Sequence, residues 1–445
     1  MRARKARAYR ERRMRERNRR LVVSGIALIL CVVLVVLAVR GVVGCVSKTF
    51  APKRQEQVEQ TTKAKEQEPV TIELAMIGDI LQHEGVYTSG FSDSGSRNYD
   101  HVFAHIGEEL EGADLKVVNQ ETVLGGDLFE FSGYPEFNGP QEMGDAEAKA
   151  GFNVILRATD HAMDMGYEGL SSELSFWRTK HPEVEVIGVA DPNDSSSSVD
   201  DPYVYEKDGF RVALLNYTSV LNGYEDPKGV VSMLDEDRVE RTVRAADAAA
   251  DMVVVFPHWG EEYMLEPVQA QREMAEAFLD AGADVIIGGH PHVIEPVEIL
   301  TASDGRKVPC FWSVGNFIST QVDNENLVGG IAKVTMAKDV DGTCSVTGCS
   351  LVPTVTHKGI GKNMTTYLLR DYTDALAKTN YLESNETDNT SLTVSWANDF
   401  CKQVLGSGYS SSTGEISFGA EEFAPDTALS DAEAETGEGS SKKAA

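Results

Sequence analysis

The sequence predicts an α/β domain carried behind one N-terminal transmembrane helix. Two observations set the fold class. From Thr71 onward, short apolar runs alternate with stretches of helical length and pattern, the mark of strands separated by helices. After residue 287 the apolar runs follow one another without a helix between them, so the sheet there is expected to become antiparallel or mixed. A third observation separates the domain from its anchor. Residues 21–39 are nineteen residues without a charge, about the length a helix needs to cross a ~30 Å hydrocarbon core.

A chain of 445 residues exceeds one ordinary core, so one large domain with appendages, or two domains, is expected. Residues 1–20 hold eleven Lys and Arg against two Glu, a balance of +9, which leaves −29 − 9 = −38 for the rest. Basic residues before the apolar run and an acidic chain after it satisfy the positive-inside preference. Residues 1–20 are then cytoplasmic, 21–43 the transmembrane helix, and the bulk extracellular. The run is longer than the ~7–15-residue core of a cleaved signal peptide. Val42-Val43-Gly44-Cys45 also resembles a lipoprotein processing box with Cys45 as the acylated residue, although Arg40 interrupts the apolar approach. So acidic an exterior argues against nucleic acid and anionic lipid as partners, since both would be repelled. Six cysteines without a Cys-x-x-Cys pair argue against a zinc knuckle or thioredoxin-type motif. Export permits disulfides, and Cys344 with Cys349 would close a short loop.

Residues 44–70 are polar and read as a linker, extended or a short charged helix. Within a domain spanning 71–355, strands are expected at 71–77, 115–119, 153–158, 184–189, 211–217, 252–256, 285–287, 308–314 and 329–337, and helices at 99–112, 167–180, 235–250 and 268–281. Residues 356–409 read as a C-terminal helical extension, with helices at 367–378 and 391–405. Residues 410–445, rich in Ser, Gly, Glu and Ala with eight acidic residues and two lysines, read as a disordered acidic tail.

Five apolar runs end in polar residues: Gly78-Asp79, Asn119-Gln120-Glu121, Thr159-Asp160-His161, Pro257-His258-Trp259-Gly260 and Gly288-Gly289-His290-Pro291-His292. In an α/β sheet the loops at the carboxyl ends of strands converge, so Asp79, Glu121, Asp160, His161, His258, His290 and His292 are expected in one crevice. These residue types suit hard and borderline divalent cations, and a two-metal site can clamp a phosphoryl oxygen and generate hydroxide. In an extended segment residues i and i+2 face the same way, so His290 and His292 can converge on one point. Each residue alone has a plainer reading. An Asp or His at a strand end is usually a helix cap or a solvated loop residue, and Gly-His-Pro-His by itself is equally a surface turn. Five such endings in register favour the site.

The motifs GDI (78–80), NQET (119–122), FNGP (137–140), GFNVILRATDHAMDMG (151–166), HWGEEY (258–263), GADVIIGGHPHVIEPVE (282–298) and SVGNF (313–317) resemble, in order and spacing, the bacterial CapA family of poly-γ-glutamate capsule-synthesis proteins, over roughly residues 71–331. The resemblance implies a metallophosphatase-like sandwich of two mixed β-sheets flanked by helices. It implies Asp79, Glu121, Asp160, His258, His290 and His292 as metal ligands and His161 in substrate or proton transfer. Glu262 is the second catalytic candidate, and Asn119, Trp259, Tyr263 and Asn316 are substrate-binding candidates in a cleft also lined by Phe137 and Phe317. Such aromatics are as often core, and loop hydrogen bonding is the plainer reading of Glu262 and Asn316. Three departures stand out. Thr159-Asp160-His161 replaces the family's usual Asn-Asn-His, the Asp-x-His that opens metallophosphatases is absent (Leu81 follows Asp79 at i+2, with His83 two further on), and Glu121 stands for the second-motif aspartate. A single metal, or a degenerate polymer-binding cleft, therefore stays open beside a two-metal centre.

The expected function is a membrane-anchored extracellular protein in the synthesis, export or attachment of an anionic surface polymer, poly-γ-glutamate or a relative. One alternative is a metal-dependent hydrolase of phosphoester, γ-glutamyl or peptidoglycan bonds; the other is a non-catalytic assembly subunit of a membrane synthase complex. The expected cofactor is a divalent cation (Mn, Zn, Mg or Fe), since an acidic protein handling an acidic polymer needs a cation between them. Expected partners are the polymer, the membrane and synthase subunits, with no nucleic acid.

Overall fold

A computed structural model of the protein describes residues 68–359, 364–381 and 392–424. Strand β1 (Val70–Ile80) lies inside the first sheet, and Ile72, Leu74, Ala75, Met76 and Ile77 are all buried, as a strand covered on both faces requires. After α1 (Glu84–Ser89) and α2 (Gly107–Leu110), the chain alternates through β2 (Leu115–Asn119), α3 (Glu142–Ala150), β3 (Val154–Leu156), α4 (Gly166–Lys180) and β4 (Glu185–Ile187). Strands β1 to β4 pair in parallel. The second sheet is built from β5 (Tyr203–Lys207), β6 (Phe210–Thr218), α5 (Glu236–Asp247), β7 (Met252–His258), α6 (Gln269–Ala281), β8 (Val285–Ile287), β9 (Val297–Thr301) and β10 (Lys307–Phe311). Its strand order is β5-β6-β7-β8-β10-β9, parallel in the middle and antiparallel at both edges.

The chain then returns to the first sheet through β11 (Asn316–Ile318), β12 (Val328–Lys338), β13 (Cys344–Lys358) and β14 (Met364–Leu368), followed by α7 (Asp374–Ala377), α8 (Val394–Leu405) and β15 (Ile416–Phe418). The first sheet runs β14-β13-β12-β1-β2-β3-β4, with β11 beside β1 and β15 beside β13. Both sheets are mixed. Alternation along the strands divides the core. Val212, Leu214, Val254, Phe256, Val285 and Ile287 join the cluster shared with the first sheet. Ala213, Leu215, Val253, Val255 and Ile286 point the other way, against Val239 and Val243 of α5 and Ala275 and Phe278 of α6. Asp235 caps α5, accepting the Arg238 N–H at 2.9 Å.

Several expectations are corrected. Residues 99–112 form a 3-10 turn (Asp100–Phe103) and the short α2 instead of one helix. Thr365 Oγ1 captures the His101 carbonyl at 2.6 Å, a group a continuous helix would use. The segment read as a helical extension begins as sheet: β13 runs through residue 358, and β14 pairs with it over 364–368. The tail is ordered at its start, where Ile416 and Phe418 carry β15 against Cys349–Leu351. Cys344 and Cys349 lie along one strand as free thiols. No helix among the described residues is long and apolar enough to cross a membrane. The anchor expected at 21–43, with Cys45, falls outside the described residues.

One buried polar contact ties α6 to the loop after β8. Gln271 accepts the Val268 N–H through Oε1 at 2.8 Å and donates Nε2 to Glu295 at 2.9 Å. Glu295 is fully buried and its other oxygen has no donor among the described residues. Burial pushes its carboxyl up to about 7, with Gln271 opposing. The folded state therefore holds a proton that the unfolded chain releases near pH ~4.5, and stability contributed by this group falls as pH rises from ~4.5 to ~7, by roughly 3 kcal/mol. Glu295→Gln is expected to remove that slope. Chemical denaturation across this range should show the variant gaining on the parent as pH rises; parallel curves would contradict the burial account.

Candidate metal centre

The site lies at the carboxyl ends of strands from both sheets. Asp79 stands at the end of β1, Asn119 ends β2 with Glu121 two residues on, Asp160 follows β3, His258 ends β7, and His290 and His292 follow β8. Close backbone approach brings these ends together. A Cβ on Gly78 would stand 1.9 Å from the Gly315 carbonyl oxygen, and one on Gly289 would stand 2.9 Å from Asp79 Oδ1. Reciprocal bonds, Gly289 N–H to the Pro257 carbonyl at 3.1 Å and Trp259 N–H to the Gly289 carbonyl at 3.0 Å, lock the histidine loop to the end of β7.

Two separate groups result, Asp79 with Glu121 and His292, and Asp160 with His258 and His290, each presenting ligand atoms within 4.8 Å of one another. In the first, His292 Nδ1 is 3.1 Å from Asp79 Oδ2 and its Nε2 is 3.7 Å from Glu121 Oε1. In the second, His258 Nε2 is 2.9 Å from Asp160 Oδ1 and 3.2 Å from His290 Nδ1. Glu121 stands between them, 3.9 Å from His258 Nε2, and groups also with Asp160 and His161. No N–H or O–H donor among the described residues reaches either Glu121 oxygen, although the residue is fully buried. A buried carboxylate left without donors beside two His/Asp groups is what a divalent cation satisfies, so the residues fit a metal ion.

The charges follow the same pattern. Burial, then the charges of Asp79 and Asp160, push Glu121 well above the carboxylate range. Burial also acts to raise Asp79 and Asp160, but His292 and His258 respectively outweigh it and bring both below that range. Burial, reinforced by His258, pushes His290 down to about 3. His292 is opposite: burial acts against its charge, but Asp79 outweighs burial and lifts it.

The two loop histidines do not converge by strand alternation, which corrects that expectation. Both have left-handed backbones, φ 98° at His290 and 59° at His292, and each side chain goes to a different group, with ring centroids 6.0 Å apart. Non-glycine residues in this region cost of order 1–3 kcal/mol each and persist only where surroundings hold them. Asn316 supplies part of that hold. It is fully buried, pairs with Asp79 across β11 and donates Nδ2 to the His292 carbonyl at 3.3 Å, where Asn326 Nδ2 also donates at 3.0 Å.

Other candidates separate by position. Asn119 Nδ2 donates to Asp79 Oδ1 at 2.7 Å and lies 3.3 Å from His258 Nδ1, fixing ligands of both groups. Asn119 and Asn316 thus brace the ligand-bearing backbone and side chains from within. Trp259 points away from His258 into the second core, stacks on Trp312 at 5.6 Å and donates Nε1 to the Trp312 carbonyl. Phe317 stacks on Phe103 in the main core. Phe137 does line the pocket, edge-on to His161 at 4.6 Å. Tyr263 (φ 67°) is exposed and 6.1 Å from the His292 ring, and Glu262 beside it is exposed. Burial and the Glu262 charge both raise the Tyr263 hydroxyl. His161 Nδ1 is 2.7 Å from Asp164 Oδ2, which also accepts the Phe137 N–H at 2.7 Å. His161 Nε2 faces Asp160 Oδ2 at 3.6 Å.

Residue-by-residue sequence reasoning missed four contributors. Asp164 was signalled only by its i+3 spacing from His161. Asn222, in an Asn-Gly turn signal, donates Nδ2 to Asp160 Oδ2 at 2.9 Å. Asn216, inside an apolar run, joins the sheets by accepting the Ala158 N–H at 2.7 Å and donating to the Phe256 carbonyl at 2.8 Å, two residues from Asp160 and from His258. Arg157, fully buried, had no sequence signal.

The chain is similar to known proteins in sequence and, in part, in structure. The sequence profile described as bacterial capsule synthesis protein PGA_cap matches residues 73–321, more than half the chain. The chain is 32% identical over 200 residues to the PGA biosynthesis protein CapA of Bacillus subtilis (strain 168), covering 44% of this chain and 50% of that protein. It is 28% identical over 280 residues to the capsule biosynthesis protein CapA of Bacillus anthracis, covering 60% and 64%. The matches thus span half to just under two thirds of these relatives. Among solved structures, a Staphylococcus aureus protein described as a 5′-nucleotidase overlaps 64% of this chain and 54% of its own at 16% identity and TM-score 0.41. A Candida albicans 5′-nucleotidase overlaps 61% and 52% at 11% identity and TM-score 0.34. At these scores the structural overlaps are partial.

Metal ligation requires His292 neutral and Glu121 ionised, and both groups are raised above their ordinary values, so binding is coupled to proton release. Affinity for Mn²⁺ should rise with pH, with His290, held down at about 3, contributing nothing to the slope near neutrality. Isothermal titration in buffers of different ionisation enthalpy reads both the slope and the released protons. A pH-independent affinity with no proton release would contradict the assignment.

Proposed function

The chain belongs to the family of bacterial capsule synthesis proteins, and from that premise we propose that it acts outside the cell membrane in the synthesis, export or attachment of an anionic surface polymer such as poly-γ-glutamate. The observation that carries the reading is the pair of buried His/carboxylate groups bridged by a Glu121 without donors. Asp79, Glu121 and His292 would hold one cation, and Asp160, His258 and His290 a second. Such an ion supplies a Lewis acid and a lowered water pKa, and it also supplies the positive charge that a protein of net charge −29 needs to take hold of a polyanion. The basic flank and apolar run at residues 1–39 support the membrane placement.

A specific contact favours a catalytic form of this reading, metal-dependent hydrolysis of a phosphoester, γ-glutamyl or peptidoglycan bond. Asp164 holds His161 by Nδ1 and leaves Nε2 facing the pocket, the arrangement of an oriented proton donor or acceptor. Phe137 restricts the ring on one side, while Asn222 lies 3.3 Å from its nitrogens. Tyr263 and Glu262, exposed beside the pocket, would meet substrate.

Elemental analysis of the purified protein, paired with polymer production in a capsule-forming host that lacks its own copy, tests both parts. His290→Ala with His292→Ala should lower metal content roughly tenfold or more and abolish polymer production. His161→Ala should keep its metal and still lose production. Full production by the metal-free double variant would reduce the chain to an assembly subunit, and full production by His161→Ala would remove the proton-transfer role.

A further inference from the structure

We propose that Arg157 is a positioning residue for the candidate metal centre: a guanidinium buried behind the pocket that sets where Glu121 stands. The inference rests on the metal-binding reading above and adds a residue that touches neither metal nor substrate.

Arg157 follows β3 and is fully buried, as is Glu173 on α4. Its Nε lies 3.0 Å from both Glu173 oxygens. Its Nη1 donates to the carbonyls of Gln120 and Glu121, the latter at 3.1 Å. Glu173 in turn accepts the Leu124 N–H at 3.3 Å, so the ion pair grips the turn after β2 on both sides of Thr122. The same turn is fastened to β1 and its continuation, by the Thr122 N–H to the Ile80 carbonyl at 3.2 Å and the Gln82 N–H to Thr122 Oγ1 at 2.8 Å. These bonds all act on the backbone of the turn, and no N–H donor among the described residues reaches the Glu121 carboxylate. Among the described residues, Arg157 supplies the only side-chain cation in that grip.

Burying a guanidinium is costly unless it is paired and its donors are used. Here the pairing residue is Glu173, yet two contacts are spent on main-chain oxygens of the metal-facing turn. Outer groups that orient ligands commonly change metal affinity by 10–100-fold. Both carbonyls belong to the turn that carries Glu121, the carboxylate shared between the two groups, so a displacement of that turn would be felt at the metal-facing oxygens.

The test separates positioning from folding. Removing one partner of a buried ion pair strands a charge, whereas replacing both by neutral groups often leaves stability intact. Arg157→Met with Glu173→Gln keeps an acceptor for the Leu124 N–H and removes the contacts to Gln120 and Glu121. In the full-length protein it should melt near the parent temperature and bind Mn²⁺ roughly 10–100-fold more weakly by isothermal titration. Arg157→Lys, which keeps the charge but cannot reach Glu173 and both carbonyls together, should lose roughly tenfold. A folded double variant with parental affinity overturns the proposal. Should the double variant fail to fold, folded Arg157→Lys with parental affinity overturns it equally. A parent protein that takes up no Mn²⁺ at all sinks the metal reading and this inference with it, an outcome distinct from parental binding in the variants.

Discussion

Three carboxylates, Asp79, Glu121 and Asp160, are buried together with 0%, 0% and 1% of their surface exposed, and the rest of the site is arranged around that fact. Ligand atoms of Glu121 lie within 4.8 Å of those of Asp79 in one group and of Asp160 in another. Two unit charges at that distance repel by ~3–4 kcal/mol at an effective dielectric of ~20. In the bare protein His258 and His292 hold Asp160 and Asp79 ionised, while Glu121 is pushed toward its neutral form. A cation removes the conflict and lets all three ionise.

The same constraint explains why backbone strain gathers here. The two sheets must bring five strand ends within a few ångströms, which Gly78 and Gly289 permit by leaving out a Cβ. His290 and His292 must then leave one short loop toward two different groups, and positive φ at both is the conformation that splits them. Asn316, Asn326 and the reciprocal bonds between Gly289 and β7 hold the loop in that state. Asn216 does similar work between the sheets, bonding the backbones two residues from Asp160 and from His258.

Much of this was legible in the sequence, for a physical reason. An apolar run measures how deep a strand lies, so the polar residues that end β1, β2, β3, β7 and β8 mark one end of the parallel strands, where loops converge. Chain order and strand type followed from the same runs. What was not legible depended on contacts between distant residues. The splay of His290 and His292 is a matter of φ, which Gly-His-Pro-His does not encode. For Trp259 the sequence leaves cleft and core equally open, and only the packing of its ring on Trp312 in the second core decides between them. Asn119 and Asn316 carry the chemistry of substrate contacts and serve as struts, because both are buried among the ligands. Strand β14, with Thr365 and Thr366, and strand β15, in a polar stretch, lack the apolar density of a strand and exist through pairing with β13. Arg157 is a charged residue after a short apolar run, and only the turn it grips gives it a role.

The central claim is that the buried carboxylates are arranged for divalent cations. Anomalous X-ray diffraction at the manganese edge, on crystals grown with Mn²⁺, tests it most directly. The account predicts anomalous density within bonding distance of Asp79, Glu121 and His292, of Asp160, His258 and His290, or of both groups. Crystals saturated with Mn²⁺ that show no anomalous density in this pocket would contradict it.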